Sequence, residues 1–213
     1  MNLHAPGATS SLQLGRVTDN SDPENRGRIK VRLIATPMEV WASVVAPSAG
    51  ANYGASFVPR LEEIVVLAFV TPELPLVLGS LWSGSGSRPQ EADPQEDHYV
   101  IRTKDATVLD FADGDNPKVQ LITRSGYHIT IDEGSGGEIS VVRGEQSVKL
   151  GPSGIEVRTS GSVNVDASTV TVNASTVTVN ASMSRFSGVV QADTLIATSV
   201  VGTTYTPGAG NIW

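Results

Sequence analysis

The sequence predicts an all-β chain, and three observations carry that prediction. Val, Thr, Ser and Gly are abundant, with 21 Gly and 12 Pro in 213 residues. Val and Thr favour pleated, half-buried surfaces, and Gly and Pro punctuate the chain at short intervals. Five short apolar runs, each bounded by turn residues, fall between Leu12 and Ser83. Finally, Ala167-Ser168-Thr169-Val170-Thr171-Val172-Asn173 is repeated at once as Ala174-Ser175-Thr176-Val177-Thr178-Val179-Asn180. That Val-Thr-Val alternation is a strand pattern.

Leu12 to Val17 reads as the first strand, followed by a turn at Asp19-Asn20-Ser21-Asp22-Pro23. Arg28 to Leu33 alternates basic and apolar residues, so one side is buried and the other wet. Val40 to Val45 is the third strand, ended by Pro47 and Gly50. Glu63 to Val70 is nearly continuous in apolar residues and is expected to be the most buried strand, and Leu76 to Trp82 is the fifth. Five strands over this length fit a small Greek-key barrel of the OB type. An arm, 1–11, precedes this domain, 12–83.

Residues 84–98 form the predicted linker, with Gly84, Gly86, Pro89, Pro94 and the acids Glu91, Asp93, Glu96 and Asp97. With little to bury, it is expected to be solvated and flexible. Strand character resumes at Tyr99 to Phe111. Apolar pairs then recur: Val119/Leu121, Ile129/Ile131, Ile139/Val141, Val148/Leu150, Ile155/Val157, Val163/Val165, Val170/Val172 and Val177/Val179. Glycines between the earlier pairs supply corners.

The seven-residue repeat is odd, while the side-chain period of a strand is two. A continuous strand would flip its valines to the other face at each repeat. The chain must therefore turn a corner near Asn173-Ala174-Ser175 to keep them together. The spacing of two and five does not fit a coiled coil, whose apolar residues sit three and four apart. Strands spanning a membrane need about 9–11 residues, and these units turn too soon. One chain of such narrow units has little interior. Three copies wound into a β-prism over 99–213 would bury Val163, Val165, Val170, Val172, Val177 and Val179 and pair their strand edges.

A net charge of -7 argues against a binder that tracks nucleic-acid phosphates. Cysteine is absent, so there is neither a disulfide nor a thiolate metal site. Residues 1–14 lack the basic and apolar regions of a secretory signal, and no apolar run approaches the roughly 20 residues of a spanning helix. The expectation is synthesis in the cytoplasm as a soluble protein.

Three blocks then carry a resemblance. Asp22-Pro23-Glu24-Asn25-Arg26-Gly27-Arg28-Ile29-Lys30-Val31-Arg32 is similar to the first signature block of phage baseplate assembly protein V and VgrG spikes. Gly54-Ala55-Ser56-Phe57-Val58-Pro59-Arg60-Leu61-Glu62-Glu63-Ile64-Val65-Val66-Leu67-Ala68-Phe69 resembles the second, and Pro75-Leu76-Val77-Leu78-Gly79-Ser80-Leu81-Trp82-Ser83-Gly84 the third. Order and spacing agree, and a β-repeat tail follows as in that family.

The resemblance implies a homotrimeric central spike of a contractile-tail baseplate, located in the virion. Its OB barrels sit on a hub trimer, and its intertwined β-helix points at the target envelope. Only a short arm precedes the barrel, so the hub is expected to be a separate protein. Arg26, Arg28, Lys30 and Arg60 are the candidate hub or subunit contacts, or else solvated strand faces. Tyr205, Ile212 and Trp213 either plug the tip or receive a PAAR-type cap.

Some relatives carry a lysozyme domain, whose chemistry needs two positioned carboxylates. The acids of the linker have no apolar scaffold to hold them, so no enzyme is expected. Others close the tip with an iron-binding His-x-His motif. Here His4, His98 and His128 stand alone and far from the C-terminus. No metal or cofactor is expected, although an ion on the three-fold axis, or a ring of His128, stays open. The alternative function is a receptor-binding or adhesive β-fibre, although no aromatic-rich head follows Arg185.

Overall fold

The computed structural model describes residues 12–134 and 136–204. Every regular element among them is a strand. Contacts divide the chain into two units, Met1–Val163 and Asn164–Trp213.

The first unit opens with a closed barrel. Its strands are β1 (Leu12–Asp19), β2 (Arg28–Leu33), β3 (Glu39–Val44), β6 (Ile64–Thr71) and β7 (Leu74–Leu81), in the order β1-β2-β3-β7-β6. The β3–β7 pair is parallel and the others antiparallel, and β1 closes on β6. All five strands were legible in the sequence. The small hairpin of β4 (Ala49–Gly50) and β5 (Tyr53–Gly54) was not. Strands of two residues leave no periodicity to read.

Alternation explains the barrel core. Val17, Ile29, Val31, Leu33, Ala42, Val65, Leu67 and Val77 point inward and are buried, with Val40, Val44 and Phe69 packed against them. Gly15 on β1 admits the close approach of this cluster. A Cβ there would lie 2.3 Å from Val31 Cγ1 and 2.9 Å from Leu67 Cδ1.

After the barrel, 82–97 contains turns and no strand. Its carboxylates are not all solvated as expected. Glu91 pairs with Arg102, and the Arg88 guanidinium donates to Gln95 Oε1 at 2.8 Å. A cation at the end of the next strand gives this segment the partner that its own composition lacks.

Seven strands then form an antiparallel meander: β8 (His98–Arg102), β9 (Val108–Ala112), β10 (Lys118–Ile122), β11 (Tyr127–Asp132), β12 (Glu138–Arg143), β13 (Gln146–Gly151) and β14 (Gly154–Arg158). This departs from the expectation that strands from 99 onward find their neighbours in other chains. From His98 to Arg158 each strand pairs with the next one in its own chain. The glycines read as corners between Val119 and Val157 lie at hairpin turns instead. Gly144, at φ 57°, and Glu145 join β12 to β13, and Pro152-Ser153 join β13 to β14. A left-handed residue in a two-residue loop matches the twist of antiparallel strands and reverses the chain at once.

The second unit differs. Its described residues, 164–204, include no strand, and every one is exposed.

Candidate interaction surfaces

The first signature block builds a turn around one carboxylate. Asp22 accepts hydrogen bonds from the backbone N–H groups of Glu24 (3.0 Å), Arg26 (2.8 Å) and Arg28 (3.3 Å). It also accepts from Arg28 Nε at 3.1 Å and Arg28 Nη2 at 2.8 Å. Asn25 and Gly27 adopt φ 53° and 73°, which lets successive amides converge on one acceptor. The Asp22 side chain is only 4% exposed. The Arg28 guanidinium, reinforced by the three amides and opposed by burial, holds its carboxyl well below the usual carboxylate range.

Arg28 is therefore engaged inside its own chain. Besides Asp22 it pairs with Glu24, and its guanidinium lies 5.6 Å from the centre of the Trp41 ring. Arg26 pairs with Glu24 as well. Lys30 and Arg32 converge on Glu39, at 3.1 and 2.8 Å. Those two cations, Arg32 first, lower the Glu39 pKa. Each cation of the β2 face thus has an acidic partner nearby, a pairing that separate stretches of sequence conceal. Arg60 is different: it is exposed and has no ion pair among the described residues.

The second block closes the barrel. Val17 N–H donates to Glu63 O at 3.0 Å, and Glu62 N–H donates to Val17 O at 2.9 Å. Glu62 sits at φ 72°, and its carboxylate meets Arg16 Nη1 at 3.0 Å. Two of the signature blocks are thus architectural: they hold the ends of strands.

The meander presents a larger surface. Its register aligns Tyr99, Phe111, Val119, Ile131, Ile139, Leu150 and Ile155 in one row across all seven strands. A second row holds Ile101, Leu109, Leu121, Ile129, Val141, Val148 and Val157. All fourteen residues are apolar or aromatic, and alternation puts both rows on one face. Twelve of the fourteen are exposed in the single chain, from 36% at Leu121 to 74% at Ile155, and Leu109 and Val119 are half-buried. The opposite face carries Gln120, Thr130, Ser140, Lys149 and Glu156 in one row. There Lys149 Nζ reaches Glu138 at 3.2 Å.

His98 and His128 belong to that polar side. His98 Nδ1 lies 2.9 Å from Oδ1 of the buried Asp110. His128 aligns with Ile122 and Val142, away from the apolar rows. No group of three or more His, Asp or Glu able to hold a metal occurs among the described residues.

The expected prism valines, Val163, Val165, Val170, Val172, Val177 and Val179, are between 64% and 70% exposed. The single chain brings none of them into a core. Tyr205, Ile212 and Trp213, expected at the tip, lie outside the described residues, as does His4.

No curated protein matches the chain. Residues 13–82 match the family described as the Type VI secretion system/phage-baseplate injector OB domain. The match begins one residue into β1 and ends one residue after β7, so it covers the barrel strand for strand. Residues 13–82 are thus an OB domain of the baseplate V/VgrG-like injector family.

Proposed function

We propose that the protein is the central spike of a contractile injection baseplate, acting mechanically as a homotrimer. The two-row apolar face of the meander carries this reading. A single-layer sheet with fourteen apolar residues on one side, twelve of them exposed, needs a partner surface. The exposed valines and unpaired backbone of 164–204 supply further surface that other copies would cover.

In this reading the barrel attaches to a separate hub trimer, and the exposed Arg60 is the best placed of the basic residues for a hub or subunit contact. The apolar C-terminus receives a small PAAR-type cap or plugs the tip itself. The particle is a phage tail or a related injector, and the spike is driven into the target envelope. No catalysis and no nucleic acid enter, consistent with the paired β2 cations. Intertwined chains unfold only by unwinding, which gives a high kinetic barrier under axial load. Between Arg158 and Tyr205 the charged residues are only Asp166, Arg185 and Asp193. That suits passage through a bilayer, where a charge near the centre costs about 2.5–3.5 kcal/mol.

Native mass tests the proposal. The expected result is three times 22.3 kDa, with resistance to dissociation by detergent. A monomer at micromolar concentration overturns it.

A further inference from the structure

An open cleft of about 600 Å³ lies where the barrel meets the first hairpin of the meander. Four basic residues line it, Arg60, Arg88, Arg102 and Lys104, against one acid, Glu63. In a chain with a net charge of -7 this is a marked local excess. Arg102 is neutralised by Glu91, and Glu63 accepts a hydrogen bond from Ser80 Oγ at 2.9 Å. Among the described residues Arg88 is held only by the neutral Gln95 amide. Neither Arg60 nor Lys104 has an ion pair among the described residues. Trp82, 66% exposed, adds an aromatic wall.

A second concavity lies beside the loop Asp93-Pro94-Gln95-Glu96, all four residues exposed, and neither acid has an ion pair among the described residues. Arg88 lines both features. The basic cleft and the acidic loop therefore adjoin in each chain, a cationic patch beside an anionic one. A closed ring joins copies head to tail, one patch of each meeting a different patch of the next.

We infer that the cleft is a subunit contact that receives the Asp93–Glu96 loop of a neighbouring copy. The two carboxylates meet Arg60, Arg88 and Lys104, and Pro94 packs on Trp82. The inference rests on the trimeric reading above and names a contact within it. Ion pairs at such a rim orient the partners and select against a wrong register more than they add affinity.

The absence of cysteine makes a clean test possible. In the double variant Glu96→Cys/Lys104→Cys, oxidation is expected to give a covalently closed trimer on a non-reducing denaturing gel. Monomer bands from an oxidised sample whose native mass is trimeric overturn the contact and leave the trimer standing. A monomeric parent chain overturns both. As a second arm, Arg60→Glu/Lys104→Glu is expected to weaken assembly by up to about fivefold per pair at low salt, less at high salt. Adding Asp93→Lys/Glu96→Lys is expected to restore it, and failure of that rescue also overturns the contact.

Discussion

The barrel and the meander use the same apolar residues in the same alternation, yet only one of them finishes its core. In the barrel, Val17, Ile29, Val31, Val65, Leu67 and Val77 are fully buried. In the meander, Ile129, Ile131, Ile139, Val141 and Leu150 remain between 40% and 43% exposed. Closure makes the difference. Five strands that curl until β1 meets β6 cover one another's inner faces. Seven strands joined in sequence by short hairpins form an open layer with one bare side. The barrel core is completed within one chain, and the apolar face of the meander is not.

The largest expected effect separates the two regions. Ile139→Asp, within one apolar row, is expected to reduce the native mass to that of a monomer while leaving barrel unfolding in denaturant unchanged. Ser140→Asp, on the opposite face of the same strand, is expected to leave the trimer intact. Equal behaviour of the two variants in sedimentation would contradict the assigned face.

Leu67→Ala acts in the other region. It is expected to destabilise the barrel by about 2–5 kcal/mol through the cavity it leaves. Because that core is closed within the chain, the loss should be seen in denaturant melts at any protein concentration. Gly15→Ala is expected to cost about 1–3 kcal/mol, since the new methyl overpacks Val31 and Leu67.

The smallest effect concerns the first signature turn. The folded pKa of Asp22 lies below its unfolded value of about 3.9. Its contribution is then complete above about pH 4 and is lost as pH falls through the folded value. Asp22→Asn is expected to lower barrel stability at neutral pH and to flatten its fall below about pH 4. Glu39, lowered in the same direction by Arg32 and Lys30, leaves a residual slope. An unchanged acid limb in a pH series of melts would separate Asp22 from the stability of the barrel.

The barrel was largely legible because its strands alternate strictly and are bounded by turn chemistry. Arg28 to Leu33 was read residue for residue. What stayed hidden was pairing over distance. Nothing in Asp22 or Arg28 taken separately announces that the cation is spent inside the chain, and nothing near Glu91 announces Arg102. The linker therefore read as freer than it is. In the meander the apolar pairs were visible, but their partners were not. A short apolar unit with glycine at its ends serves equally as one step of an intertwined prism or as one arm of a hairpin.

Sequence alone determined the all-β class, the five barrel strands, the two-residue spacing of the apolar pairs and the odd repeat of 167–180 that forbids a straight strand. These follow from local sterics and side-chain alternation, which act between near neighbours. Tertiary structure alone decided that 98–158 pairs within its own chain, that its fourteen apolar residues fall into two rows on one face, and that Arg60, Arg88 and Lys104 meet in one cleft. Register and closure join residues far apart in sequence, and which of those meet is settled only when the whole chain is folded.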